Sequence, residues 1–186
     1  MSVSKDIAQQ LKNKDLISIR MVKKEDALNW FTLVNKVWRE TYSHIFPEEV
    51  FVEKEEKVDK KVETFTSVIK NDNKNIAYIA EYKNELVGIM RGSIISSYEH
   101  FDKYADLIGI YINPKFQGNG IGTSFRKIFE KWAKENGASK YVIGVLKDNK
   151  KARKVYEEWG GKLSEFEEDY IKFNIKYKEV FYVYDL

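Results

Sequence analysis

Gln117-Gly118-Asn119-Gly120-Ile121-Gly122, followed by Thr123, has the composition of an anion cradle. It follows an apolar run, Leu107-Ile108-Gly109-Ile110-Tyr111-Ile112, and precedes a helical pattern. The segment therefore reads as a strand passing through a glycine-rich turn into a helix. Such a turn leaves several backbone N–H groups unpaired and pointing one way, with the positive end of the helix dipole behind them. That arrangement binds a phosphate or a pyrophosphate. Glycine lets the phosphate oxygens reach the backbone where a Cβ would otherwise stand. Spacing narrows the ligand. The dinucleotide pattern G-x-G-x-x-G would put its third glycine at Thr123, and the Gly-Lys-Ser/Thr close of a P-loop is absent. What the residues spell is Q-x-x-G-x-G, from Gln117 through Gly120 to Gly122. On these residues alone, a tight turn that only starts a helix is the alternative.

Other chemistries are bounded by what the chain lacks. It has no cysteine, which excludes a thiolate nucleophile, a disulfide and a Cys-based metal site. His44 and His100 are its only histidines and no H-E-x-x-H occurs, so no metal is expected. A net charge of +3 is a small bias for a nucleic-acid binder, and the lysines between Glu53 and Lys61 alternate with acids as on a solvated face. No stretch approaches the ~18 apolar residues of a membrane span, and residues 1–15 lack a signal-type apolar region, so a cytoplasmic protein is expected.

The elements that must hold the turn follow from periodicity. Residues 2–14 read as a short helix or a loose tail, and residues 16–21 alternate as a first strand. Lys23-Lys24-Glu25-Asp26 opens a helix with Leu28, Phe31, Val34, Val37 and Trp38 at helical spacing. Pro47-Glu48-Glu49 starts another which, alone or with a successor, turns Val58, Val62, Phe65 and Ile69 inward. Residues 75–82 and 85–97 form a hairpin around Lys83-Asn84, and residues 102–112 give the strand before the glycine turn. The next helix sets Ile121, Phe125, Ile128, Phe129 and Trp132 on one face and stops at Asn136-Gly137. A strand over 140–146 leads to a helix capped by Asp148 or Asn149, with Ala152, Val155, Tyr156 and Trp159 on one face and Gly160-Gly161 at its end. Strands near 162–169 and 176–184 finish the chain. The sum is a single domain over residues 1–186, an α/β fold with a mixed sheet.

This order of elements, with two segments, resembles the GCN5-related N-acetyltransferase (GNAT) superfamily. The turn at 117–122 is similar to its acyl-CoA pyrophosphate loop. Asn149 through Gly160 is similar to its N-x-x-A-x-x-x-Y-x-x-x-G helix, with Gly161 where members often carry phenylalanine, a change of packing rather than of site. A third stretch, Trp38-Arg39-Glu40-Thr41-Tyr42 through Phe46-Pro47-Glu48-Glu49, is similar to small bacterial members, some of which act on polyamines. The resemblance implies about seven strands, mostly antiparallel, splayed between the fourth and fifth, and acetyl-CoA as co-substrate with an amine acceptor. It implies main-chain contacts to the pantetheine arm from Ile110 and Ile112, with Tyr111 between them. It puts Gln117, Gly118, Asn119, Gly120, Ile121, Gly122 and Thr123 around the pyrophosphate. Asn149 would bond the pantetheine or nearby backbone, its plain reading as a helix cap staying open.

Without a cysteine or a G-x-S-x-G elbow, direct attack of the amine in a ternary complex is favoured over an acyl-enzyme. The ammonium must lose a proton and the departing thiolate must gain one. The resemblance implies Tyr156 as the acid, and an unperturbed tyrosine is protonated at pH 7; a core position on the same helical stripe is the alternative. Asp106 lies eleven residues before Gln117, where the founding histone acetyltransferases carry a base glutamate. One methylene shorter, it would work through a water; a strand-end carboxylate facing solvent or binding the substrate cation is the alternative. His44, Glu40 and Glu81 are further possible bases. A non-catalytic acyl-CoA sensor is the competing class, against which the retained Tyr156 argues. The acceptor, whether polyamine, amino acid or protein amine, is not readable: Glu165, Glu167, Glu168 and Asp169 either attract a polyamine or form a solvated strand edge. A monomer or homodimer is expected.

Overall fold

The computed structural model describes residues 16–69 and 71–186; the helix or tail expected over 2–14 lies outside them. Among the described residues seven strands form one sheet: β1 (Ile17–Met21), β2 (Asn75–Tyr82), β3 (Glu85–Ser93), β4 (Ala105–Ile112), β5 (Lys140–Leu146), β6 (Lys162–Lys172) and β7 (Ile175–Asp185). Their order is β1-β2-β3-β4-β5-β7-β6, antiparallel throughout except between β4 and β5. Two-residue turns close the hairpins. Lys83 and Asn84 (φ 50° and 66°) join β2 to β3, and Phe173 and Asn174 (φ 49° and 60°) join β6 to β7. Left-handed turns match the twist of the flanking strands. The last two strands accordingly run longer than the sequence pattern suggests.

Helices cover both faces. Helix α1 (Ala27–Tyr42) buries Ala27, Trp30, Leu33 and Val37, packed with Ala77, Ile79 and Ile89 of the sheet. Of the expected stripe, Val37 is buried and Phe31, Val34 and Trp38 are half-buried against the clusters, whereas Leu28 is 56% exposed. The reason lies just before the helix. The Asp26 carboxylate takes two hydrogen bonds of 2.8 Å from Arg20 on β1 and one of 2.7 Å from the Lys23 N–H. This fixes how the first turn leaves the sheet, with Ala27 rather than Leu28 turned inward. The one or two helices expected after Pro47 are three short ones, α2 (Glu48–Glu56), α3 (Val58–Glu63) and α4 (Phe65–Val68). Val50, Phe51, Phe65 and Ile69 are buried; Val58 and Val62 are half-buried. On the opposite face α5 (Ile121–Glu135) buries Ile121, Phe125, Phe129 and Ala133 against the sheet. Each full aromatic burial contributes about 1.5–3 kcal/mol, enough to fix the helix start. Helix α6 (Lys150–Glu158) buries none of its residues completely; its apolar side faces an opening in the sheet.

That opening has two causes. Strands β4 and β5 pair only at Ala105↔Tyr141 and Asp106↔Val142, and then diverge. On its other edge β4 carries a bulge: Arg91 pairs with Gly109 and Ser93 with Asp106, so Leu107 and Ile108 stand opposite Gly92 alone. A bulge resets the alternation of side chains. Leu107 turns into the α5 side of the core, while Asp106 shares the other face of the sheet with Gly109 and Tyr111. No described helix is long and apolar enough to cross a membrane.

Candidate active site

Among the described residues, no protein hydrogen bond uses the backbone N–H of any residue from Gly118 to Thr123; the first N–H of α5 to be paired is that of Ser124, on Gly120 O at 2.9 Å. Six donors are therefore left unpaired where the dipole of a fifteen-residue helix begins. Gly118 and Gly120 have φ of 78° and 79°. A Cβ on Gly120 would meet no atom within 4 Å, so conformation rather than crowding demands glycine there. Gly122 differs. Its Cβ would point at the Trp159 ring (3.4 Å) and Ile112 Cδ1 (3.5 Å), so a larger side chain would grow into the cleft. The Gln117 side chain donates to Ile112 O (3.2 Å) and accepts from Lys151 Nζ (2.6 Å), clipping the turn to β4 and to α6. Asn119 is 6% exposed, and its Nδ2 donates to Phe116 O (3.0 Å) and Gln117 O (3.3 Å), which makes its side chain an internal brace.

The turn opens into a cavity of about 520 Å³ in the gap between β4 and β5. Of the residues singled out in the sequence, Ile110, Tyr111, Ile112, Gln117, Gly118, Gly120, Ile121, Gly122, Thr123, Asn149 and Tyr156 line it; Asn119 and Asp106 do not. Val37, Thr41 and Tyr42 of α1 close one side, and Ala152, Val155, Tyr156 and Trp159 of α6 another. Asn149 caps α6 by accepting from the Ala152 N–H (3.1 Å) and donates to the Tyr42 hydroxyl (3.0 Å). Tyr111 folds its ring over Gly109, where a Cβ would lie 2.8 Å from it, and its hydroxyl accepts from Trp38 Nε1 (3.2 Å). Tyr156 is wedged between Trp159 and Tyr182, with ring centroids 5.8 and 5.9 Å away. Its hydroxyl makes no hydrogen bond among the described residues, and burial holds the phenol well above its ordinary pKa, hence protonated.

The carboxyl groups divide sharply. Glu40 and His44 are exposed, and Glu81 is spent on Arg20, receiving Nε and Nη2 at 2.8 Å each. Asp106 is 4% exposed, and among the described residues its Oδ1 has no hydrogen-bond partner. Burial, then the nearby Glu179 carboxylate, push it up to about 7 against the pull of Arg91 and the Ser97 N–H. Glu179, on β7, was not singled out in the sequence. It accepts a 3.2 Å hydrogen bond from the Tyr98 hydroxyl, and burial raises its pKa as well. Gly144 of the cavity wall makes room for both: a Cβ there would overlap the Tyr98 hydroxyl and lie 2.7 Å from Glu179 Oε1. The signal was present in the strand alternation, where Tyr177, Glu179, Phe181 and Val183 share one face and only one of them is charged.

These features define an α/β fold with a cleft that opens from an anion-binding turn. The model of the Acetyltransferase (GNAT) family matches residues 31–161, more than half of the chain, and the chain belongs to that family. The uncharacterized N-acetyltransferase YobR of Bacillus subtilis (strain 168) is 34% identical over 59 residues, 32% of this chain, and the match spans only 24% of that relative's length. Among solved structures, paiA N-acetyltransferase from Thermoplasma acidophilum in complex with coenzyme A superposes with a TM-score of 0.68 at 19% identity, covering 91% of this chain and 99% of that one. The corresponding values are 0.64, 15%, 91% and 94% for yncA from Salmonella typhimurium with its cofactor acetyl-CoA. For the ribosomal-protein-alanine N-acetyltransferase from Brucella melitensis they are 0.66, 17%, 91% and 99%. At these identities the likeness is one of fold.

Proposed function

We propose that this chain, as one domain, transfers the acetyl group of acetyl-CoA to a primary amine by direct attack in a ternary complex. The observation that carries the reading is the run of unpaired N–H groups from Gly118 to Thr123, opening into a cavity where the Tyr156 hydroxyl stands free. The space beside Gly122 fits the group, since a Cβ would begin to fill it. Gly118 to Thr123 hold the pyrophosphate, with Lys151 adding a positive charge at the rim, and the main chain of Ile110 and Ile112 orients the pantetheine arm. Asn149 supports this arm through the Tyr42 contact. Asp106, through a water, accepts the proton that the acceptor ammonium must lose. The freed nitrogen attacks the thioester carbon; a C–N bond forms and the C–S bond breaks. Tyr156 donates its proton to the leaving sulfur and regains one from the attacking nitrogen, so the cycle releases one proton to solvent through Asp106. Most of the rate enhancement is positional.

A thiol-release assay with acetyl-CoA across polyamines, amino acids, aminoglycosides and lysine peptides tests the reading. Acetylation of at least one class is expected. Tight binding of acetyl-CoA with no product from any amine would instead favour the sensor role. With the transferase reading go a cytoplasmic location and a monomer or homodimer that needs neither nucleic acid nor membrane; fractionation and light scattering check both.

A further inference from the structure

Two hydroxyl groups that the transferase reading does not use face the cavity. Tyr42 ends α1 and Tyr111 stands on β4, and both line the cleft. Each phenol oxygen takes a hydrogen bond from a nitrogen that cannot accept one in return. Trp38 Nε1 donates to Tyr111 at 3.2 Å, and Asn149 Nδ2 donates to Tyr42 at 3.0 Å. The Asn149 amide has no freedom to flip, because its oxygen holds the Ala152 N–H at 3.1 Å. Neither phenol proton has an acceptor among the described residues. Burial raises both phenols above the ordinary tyrosine pKa, so both protons stay on. Water satisfies them only until a ligand fills the cleft; after that each proton needs an acceptor on the ligand.

Packing from both sides holds the pair in place. Trp38 and Tyr42 lie one turn apart on α1 with ring centroids 4.8 Å apart, and Phe46 stacks on the indole at 5.6 Å. Across the gap, a Cβ on Gly109 would lie 3.4 Å from the Tyr111 hydroxyl, which puts that oxygen over the cavity wall itself. Tyr111 and Tyr156 both act electrostatically on Tyr42, and Tyr111 on Tyr156, so the three phenols border one space. The chemistry then selects what the two protons can serve. An ammonium has no lone pair to offer them, and a bond to the free amine would tie up the pair that must attack. Sulfur is a weak acceptor, and Tyr156 already attends it. The thioester carbonyl oxygen remains, and it gains negative charge as the amine adds.

We propose that the Tyr42 and Tyr111 hydroxyls form an oxyanion hole for the thioester carbonyl, with Asn149 and Trp38 as their positioning residues. This rests on the transferase reading above and adds the groups that bear the developing charge. As the nitrogen bonds to the carbonyl carbon, the π pair of C=O moves onto oxygen. The two O–H groups hold that oxygen by hydrogen bonds and keep their protons. The pair returns to C=O as the C–S bond breaks, and the sulfur takes its proton from Tyr156. The N–H groups of Trp38 and Asn149 polarise the phenols they touch, which strengthens both as donors.

Infrared difference spectra of bound acetyl-CoA, isotopically labelled at the thioester carbonyl carbon and taken without an amine, read these contacts directly. A hydrogen bond lowers a carbonyl stretching frequency, so Tyr42→Phe and Tyr111→Phe should each move the band up from its wild-type position. With the best amine of the thiol-release panel, each should lower kcat roughly 10²-fold, the usual loss of one such donor, and leave the KM for acetyl-CoA little changed. Trp38→Phe keeps the Tyr111 hydroxyl but frees it to turn, and should give an intermediate band. Tyr141, bonded to Glu130 outside the cavity lining, supplies the control: Tyr141→Phe should leave the band in place. Thermal melts confirm that each variant folds. An unmoved band in either Tyr42→Phe or Tyr111→Phe would overturn the hole, whatever happens to kcat, and leave the transferase reading standing. Weaker acetyl-CoA binding with an unmoved band would overturn it too, by placing the hydroxyls on the pantetheine amides. A band that moves in both variants of a protein that acetylates no amine would support the contacts and sink the transferase reading.

Discussion

At the scale of single residues, two groups in or beside the cavity differ in what pH does to them. Tyr156 is held protonated by burial, so it can serve as an acid over the whole assayable range without shaping the alkaline limb. Tyr156→Phe should lower kcat at least tenfold while calorimetry shows little change in acetyl-CoA affinity; near-wild-type turnover would remove its acid role. Asp106 titrates at about 7 in the folded chain, well above an unfolded aspartate. Its protonated form is favoured by folding, so the folded state binds more protons between the two values and stability falls as pH rises from about 4 to 7. Asp106→Asn should therefore melt higher than wild type at pH 8, by a margin on the order of a few kcal/mol that closes toward pH 4. If Asp106 is also the base, the acidic limb of kcat/KM near pH 7 disappears in this variant. An unchanged limb would assign the base elsewhere, with Glu179 and its raised pKa the next group to test.

Among the elements, the turn into α5 separates binding from folding. Gly118 and Gly120 are fixed by left-handed backbone, whereas Gly122 is the second residue of an ordinary helix and its missing Cβ concerns only the cleft. Gly122→Leu trades a poor helix former for a good one, worth up to about 1 kcal/mol in the helix's favour. The expected result is a melting temperature equal to or above wild type, with acetyl-CoA affinity reduced more than tenfold in calorimetry; retained affinity would mean the ligand lies elsewhere. The same contrast explains what the sequence made legible. The glycine turn and the stripe Ala152, Val155, Tyr156 and Trp159 were readable because their signals are local, a spacing and a helical period. Leu28 misled because the rotation of α1 is set by Arg20 and Asp26, not by the period inside the helix. Asn149 was readable both as cap and as site residue, and the geometry gives it the cap together with a bond to Tyr42 from a distant helix. Glu179 escaped because its meaning depends on Tyr98, 81 residues away, and on the space left by Gly144.

For the molecule as a whole, the cavity is a structural seam. Strands β1 to β4 and strands β5 to β7 touch along the sheet through only two residue pairs, so the gap is bridged mainly by α5 beneath it and by α1 and α6 at its rim. A ligand that occupies the gap supplies contacts the sheet itself lacks there, and its stabilisation should therefore be global. At a concentration 100 times its dissociation constant a ligand adds about 2.7 kcal/mol. For a chain of this size that raises the melting temperature by roughly 5–10 °C. Hydrogen exchange locates the effect. The amides from Gly118 to Thr123 have no acceptor among the described residues and should exchange at nearly unprotected rates, while those of Phe125 and Phe129 in the buried part of α5 are protected. Acetyl-CoA should slow the six turn amides and the diverging edges of β4 and β5 together, and Gly122→Leu should abolish both changes along with the thermal shift. Protection appearing on only one side of the seam would show that the ligand docks on the turn without entering the gap, and the thioester could not then reach Tyr156.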